Sequence, residues 1–208
     1  MSKSIEPKYR LEEHVNDWVK LQFKRLGLEN QRDYYTESAI PDYLKEALKG
    51  RAKTENKTSF GKPDFSMTQY KQAPVIMENK LGAKKLIAET KDGVKFDEAS
   101  IKSYAVNGAL YYATGIIASG KYKEVIAIAI AGDCVKTIEI NVYYVYGSGN
   151  KSYKFLGNVK TLDFLENQET FDEFYNEATL TEEEKHDILI NSQATLNKYA
   201  KSLNKLMH

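Results

Sequence analysis

Gly61 to Lys80 reads GKPDFSMTQYKQAPVIMENK. Its second half holds an apolar run, Pro74-Val75-Ile76-Met77, closed by Glu78 and Lys80. Such a run, with β-branched residues between turn signals, predicts a buried strand. Strand side chains alternate faces, so Glu78 and Lys80 share one, with Ile76 beside Glu78 and with Val75 and Met77 opposite. Asp64 follows Pro63 and opens an extended segment that runs to Met67. A hairpin between the two segments places Asp64 beside Glu78.

Two neighbouring carboxylates are hard ligands suited to Mg²⁺, an ion that keeps several waters and takes phosphate as a partner. The bound ion polarises a phosphoryl oxygen and lowers the pKa of a bound water. A lysine two residues on would orient that water, help deprotonate it, or stabilise charge growing on the phosphate. A decoy shows what context adds. Pro41-Asp42 is followed by Glu55-Asn56-Lys57 at the same kind of spacing. Residues 51–59 contain no apolar residue beyond Ala52, so they form no buried strand; Glu55 and Lys57 read as a solvated loop. Pro41 reads as the start of a short helix from Asp42 to Leu48.

The chain has 208 residues and 42% hydrophobic content, enough for one domain with a core plus an appendage. Its net charge of +1 neither favours nor excludes nucleic acid, since local patches do the binding. One cysteine, Cys134, excludes a disulfide framework and a cysteine-rich zinc or iron–sulfur site. No charged-then-apolar N-terminal segment and no run of 18 apolar residues occurs, so neither secretion nor membrane contact is expected, and the expected location is cytoplasmic.

Residues 1–9 read as a loose arm. Leu11 to Leu26 carries a helical stripe of Leu11, Val15, Trp18, Val19, Phe23 and Leu26, ended by Gly27. Glu12 falls on its apolar side. Two readings stand level: a functional carboxylate, or a first-turn residue favoured by the helix dipole. The basic stretch with Lys49, Arg51, Lys53 and Lys57 reads as a solvated loop or as a phosphate-contacting one. Leu81 to Lys95 is net basic, with Lys84 and Lys85 and a turn at Asp92-Gly93. Phe96 to Ser119 reads as one long helix on which Ser100, Tyr104, Asn107 and Tyr111 form a polar stripe facing a cleft. Val125 to Ala131 is a wholly apolar central strand. Thr137 to Tyr146 is an outer strand, and Lys154 to Asn158 a short edge strand. Thr181 and Glu184 form a capping box for a helix to Met207, whose apolar stripe runs to the last residue.

The pair Pro63-Asp64 and Glu78-Asn79-Lys80 resembles the PD-(D/E)xK nuclease superfamily. The resemblance implies an α/β fold: a restriction-endonuclease-like core, a mixed central sheet flanked by helices, with a C-terminal connector helix. The order of helix, two strands, helix and two strands agrees. It implies Asp64, Glu78 and Lys80 as catalytic residues. Mg²⁺, with Mn²⁺ as the alternative, would sit on Asp64, Glu78 and the Asn79 backbone carbonyl. Glu12-Glu13-His14-Val15, in a helix ending at Gly27, is similar to the first helix of Type I restriction nuclease domains. Glu12 there matches a glutamate near the metal. Those relatives carry a Q-xxx-Y motif on the helix after the active strand. Tyr104 matches its tyrosine, while Ser100 stands at the glutamine position. Lys84 and Lys85 would grip DNA phosphates.

With the segment from Ala178 to His208, the chain looks like the N-terminal region of single-chain restriction–modification proteins, in which a nuclease leads into an adenine-N6 DNA methyltransferase. Residues 1–178 would be the nuclease and 179–208 a connector towards a methyltransferase or specificity domain outside this chain. The implied function is metal-dependent endonuclease cleavage of double-stranded DNA, with dimerisation on DNA because a duplex cut needs two sites. Two alternatives stand beside it: a non-cleaving nucleic-acid-binding or assembly module with the nuclease fold, and a repair or junction nuclease of the same superfamily.

Overall fold

The computed structural model describes residues 8–53 and 59–180, together with Gln193, Thr195 and Leu196. Most of the expected N-terminal arm, the loop of Glu55 and Lys57, the capping box and, apart from those three residues, the helix from Thr181 to Met207 lie outside the described residues. The chain divides into two compact units, Met1–Glu173 and Phe174–His208. In chain order the elements are α1 (Glu12–Arg25), β1 (Tyr35–Thr36), α2 (Asp42–Ala47), β2 (Phe65–Met67), β3 (Val75–Leu81), β4 (Glu89–Thr90), β5 (Gly93–Val94), α3 (Glu98–Ser103), α4 (Ala105–Ala118), β6 (Val125–Gly132), β7 (Glu139–Val145), β8 (Tyr153–Val159) and α5 (Gln168–Thr179). Among the described residues, no helix is long and apolar enough to cross a membrane.

The first unit is built on a six-stranded mixed sheet in the order β1-β2-β3-β6-β7-β8. The pair β3 and β6 is parallel and every other neighbouring pair is antiparallel. Parallel neighbours need a long crossover. Here it holds the β4–β5 hairpin and the helices α3 and α4. The turn expected at Asp92-Gly93 is the tip of that hairpin, where Gly93 takes φ +115, a conformation suited to glycine. The expected short edge strand is the longer β8, of seven residues.

The strand β6, VIAIAIAG, is buried throughout. Its alternation is between sizes rather than between apolar and polar. Ala127, Ala129 and Ala131 lie in the core cluster with α4, whose own residues there include Ala105, Ala109 and Ala113. Small side chains on both surfaces let helix and sheet approach closely. Ile126, Ile128 and Ile130 point to the other face by the strand period. That face receives α1: Val15, Val19 and Phe23 are fully buried, and the Phe23 ring meets Phe65 edge-on at 5.4 Å. Leu11, expected in the apolar stripe, is instead the exposed residue just before the helix.

The long helix expected over Phe96 to Ser119 is two helices, broken at Tyr104. Tyr104 is extended, at φ −127 and ψ 138, and the Val106 N–H donates to Leu86 O at 2.9 Å rather than to the preceding turn. Asn107 explains the break further. Its amide donates to Ala88 O and Lys95 O, and its Oδ1 accepts from the Ala88 N–H. Tertiary hydrogen bonds to the hairpin's flanks therefore replace helix continuity. The expected polar stripe along one helix does not exist as such. Replacing Ala129 with Leu forces methylenes between β6 and α4; we expect a loss of about 1–3 kcal/mol in stability, read as a lower urea midpoint with unchanged slope.

Candidate active site

The register of β2 with β3 pairs Phe65 with Met77 and Ser66 with Ile76. One step beyond, Asp64 comes beside Glu78. Glu78 is 3% exposed, although it is a carboxylate. Its neighbour on β6 is Ala129, and across from it on α4 stands Gly108. A Cβ at Gly108 would lie 3.0 Å from Glu78 Cγ and 3.1 Å from Cδ. Two small residues thus make the space that the carboxylate fills.

Lys80 reaches back along the same face of β3. Its ammonium donates to Glu78 Oε1 at 3.0 Å, to Glu12 Oε1 at 2.8 Å and to the Asn79 carbonyl at 2.9 Å. Glu12 sits in the first turn of α1 and meets the same ammonium as Glu78. Its oxygen is engaged by Lys80. Among the described residues, no three His, Cys, Asp or Glu side chains stand close enough to share one ion. Asp64 and Glu78 form a pair.

Asp64 is held by donors on two elements. Its Oδ2 accepts the Asn79 N–H at 2.7 Å, and its Oδ1 faces the Asn16 amide at 3.4 Å. The Asn79 amide donates in turn to Asn16 Oδ1 at 2.8 Å. Burial, then the charge of Glu78, raises the Asp64 pKa from 3.8 to about 7, against the pull of Lys80 and the Asn79 N–H. Burial works against the charged form of Lys80, but the carboxylates of Glu78, Asp64 and Glu12 outweigh it and hold the pKa above its usual value. Glu78 Oε2 is buried without a hydrogen-bond partner, as are Asn79 Oδ1 and Ser66 Oγ. An orphaned carboxylate oxygen next to a second carboxylate suits a hard cation.

Two more residues join the site: Asn16, which was not singled out in the sequence, and Lys53, which was named there only as part of a basic stretch. Asn16 lies one turn after Glu12, and that i, i+4 spacing was the readable signal. Lys53 comes from the basic stretch before β2 and pairs with Glu78 Oε1. Its side chain is largely covered beside Glu78 rather than solvated, and desolvation lowers its pKa despite the pull of Glu78. Other candidates lie elsewhere. Ser100 is the cap partner of Asp97, bonding it through both N–H and hydroxyl. Tyr104 lies under the Lys85 ammonium, 5.1 Å from ring centre to nitrogen. Lys84 and Lys85 are exposed in the turn after β3. A cleft of about 400 Å³, lined by Glu12, Glu13, Asn16, Glu37 and Asp64 among others, opens onto Asp64.

The chain is similar to a Type II restriction enzyme and methyltransferase, RM.BcgI, of Heyndrickxia coagulans, at 39% identity over 104 residues. The match covers 49% of this chain and 16% of that protein. This similarity relates the chain to a restriction–modification protein. No protein family and no solved structure matches the chain.

Replacing Gly108 with Ala would ordinarily stabilise a helix by about 1 kcal/mol. Here the new methyl meets Glu78 and the Lys53 ammonium, so we expect thermal stability to fall; a rise would contradict this packing. The raised Asp64 pKa has a definite sign. Without metal, the folded protein retains a proton that the unfolded chain releases near pH 4. The resulting stability is full below pH 4 and lost as pH rises through 7. Urea midpoints of Asp64→Asn relative to the native chain should therefore improve steadily from pH 4 to 8; a constant difference would contradict the shift.

Proposed function

We propose that the chain is a metal-dependent endonuclease of restriction type, with a PD-(D/E)xK core, that hydrolyses phosphodiester bonds in double-stranded DNA. The observation that carries this reading is Glu78: its Oε1 holds the Lys80 ammonium while its Oε2 is buried without a hydrogen-bond partner, on a carboxylate whose charge acts on Asp64. The similarity to a protein named as both restriction enzyme and methyltransferase supports it.

Asp64, Glu78 and the Asn79 carbonyl would hold Mg²⁺ or Mn²⁺. When bound, such an ion supplies Lewis-acid polarisation of the phosphate and a more acidic water. The remaining work belongs to the chain. The Asn79 N–H and the Asn16 amide fix the Asp64 carboxyl. Glu12 holds Lys80 in place, and the surrounding carboxylates keep it protonated. Lys80 therefore acts as a fixed donor that orients water or stabilises charge on the phosphate, not as a free base at neutral pH. Asp64 must lose its proton to act as a ligand, so metal affinity rises as pH passes through 7.

Each site serves one strand, so a double-strand cut takes two copies on DNA. In this reading, methylation and sequence recognition belong to parts of the system beyond these residues.

The test is cleavage of supercoiled plasmid with Mg²⁺ or Mn²⁺. The native chain should nick or linearise it. Asp64→Ala should abolish cleavage, and Lys80→Ala should slow it by about 10²–10³-fold, the size of losing one preorganised donor. Cleavage that survives both substitutions would refute the site. Metal binding without cleavage would favour a non-cleaving module.

A further inference from the structure

Lys53 reaches the site on a mount of its own. Arg51, Ala52 and Lys53 run against the face of α4 that carries Gly108, Tyr111, Tyr112 and Gly115. These positions are three, four and seven apart and so share one face of the helix. The Arg51 guanidinium lies 5.0 Å from the centre of the Tyr111 ring, and the Lys53 ammonium 4.5 Å from that of Tyr112. A Cβ at Gly115 would come within 2.8 Å of the Arg51 side chain, and one at Gly108 would meet the Lys53 ammonium. Two glycines and two tyrosines therefore form a seat for a basic strap. Its base is anchored where Leu48 O accepts the N–H groups of Arg51 at 3.0 Å and Gly61 at 2.8 Å.

The strap delivers the Lys53 ammonium to Glu78 Oε1, the oxygen that Lys80 also holds. The two lysines differ in their ties. Lys80 is fixed by Glu12 and the Asn79 carbonyl as well as by Glu78. The carboxylate partner of Lys53 is Glu78. Lys53 also borders a cavity of about 190 Å³ whose lining includes Phe96, Glu98, Ile101, Lys102 and Tyr111.

We propose that Lys53 is an internal counter-cation: it occupies Glu78 in the metal-free protein, and the Lys53 ammonium and a divalent ion exclude one another at that carboxylate. The inference rests on the reading of Asp64 and Glu78 as metal ligands. A carboxylate this buried needs compensating positive charge in the empty site. An added divalent ion supplies that charge and repels the ammonium across a short distance in a medium of low polarity. Lys53 thus sets how much metal the site needs before it loads.

Calorimetric titration with Mn²⁺ tests this on the full chain as native protein, Lys53→Met, Lys53→Arg and Asp64→Ala. Lys53→Met should bind Mn²⁺ at least tenfold more tightly, and Lys53→Arg should stay near the native affinity. A second measurement needs no variant: acetylation of Lys53 in the native protein, read by mass spectrometry, should accelerate when saturating Mn²⁺ frees the ammonium. Unchanged or weaker Mn²⁺ binding by Lys53→Met, or a Lys53 acetylation rate indifferent to Mn²⁺, would overturn the inference while leaving the metal site standing. No Mn²⁺ binding by the native chain, or binding that Asp64→Ala leaves intact, would overturn both.

Discussion

The structure depends on keeping the Glu78 carboxylate inside the protein. A charge removed from water must be compensated nearby or be neutralised. Here the compensation comes from two ammonium groups on one oxygen, and both arrive from elsewhere in the chain. Lys80 lies two residues along β3, and Lys53 is carried in by the strap against α4. Space for the carboxylate comes from residues with almost no side chain, Ala129 beside it and Gly108 across from it. The small-residue surface between β6 and α4 therefore has two roles. It allows close packing along most of its length, and at Gly108 it admits a charged group where a larger residue would exclude it.

The same constraint divides the sheet's two faces. The face towards α4 holds alanines on β6 and ends in Glu78 and Lys80 on β3. The face towards α1 holds the isoleucines and the aromatic contacts of Phe23 and Phe65. The helix α1 nevertheless reaches the site through its first turns, where Glu12 meets Lys80 and Asn16 meets Asn79. Three carboxylates, Glu12, Asp64 and Glu78, face two lysines, leaving one negative charge in excess when all are ionised. Burial first, and then the charge of Glu78, raises the Asp64 pKa.

Much of this was legible locally. The run from Val75 to Met77 has the composition of a buried strand, and its alternation put Glu78 and Lys80 on one face. The extended segment after Pro63 and the turn between the two made the hairpin readable, as Pro41 did for α2 and Asp92-Gly93 for the β4–β5 turn. The helix after Phe96 was misread because its break has no local signal. No glycine or proline lies within three residues of Tyr104 in sequence. The break comes from Leu86, Ala88 and Lys95, which capture the Val106 N–H and the Asn107 side chain from a distance in sequence. For the same reason Ser100 and Tyr104, aligned on an ideal helix, serve separate partners.

By itself the sequence determined the five longer strands β2, β3, β6, β7 and β8 and the shared face of Glu78 and Lys80 on β3, because period and turn chemistry act over a few neighbours. Only the tertiary structure decided what those residues touch. That Glu12 binds Lys80, that Asn16 steadies Asp64, and that Lys53 joins the site are contacts across 68, 48 and 25 positions. Such contacts arise from how helices settle on the sheet, where the volume at Gly108 and Ala129 and the demand for charge compensation choose the partners. No periodicity within a segment encodes that choice.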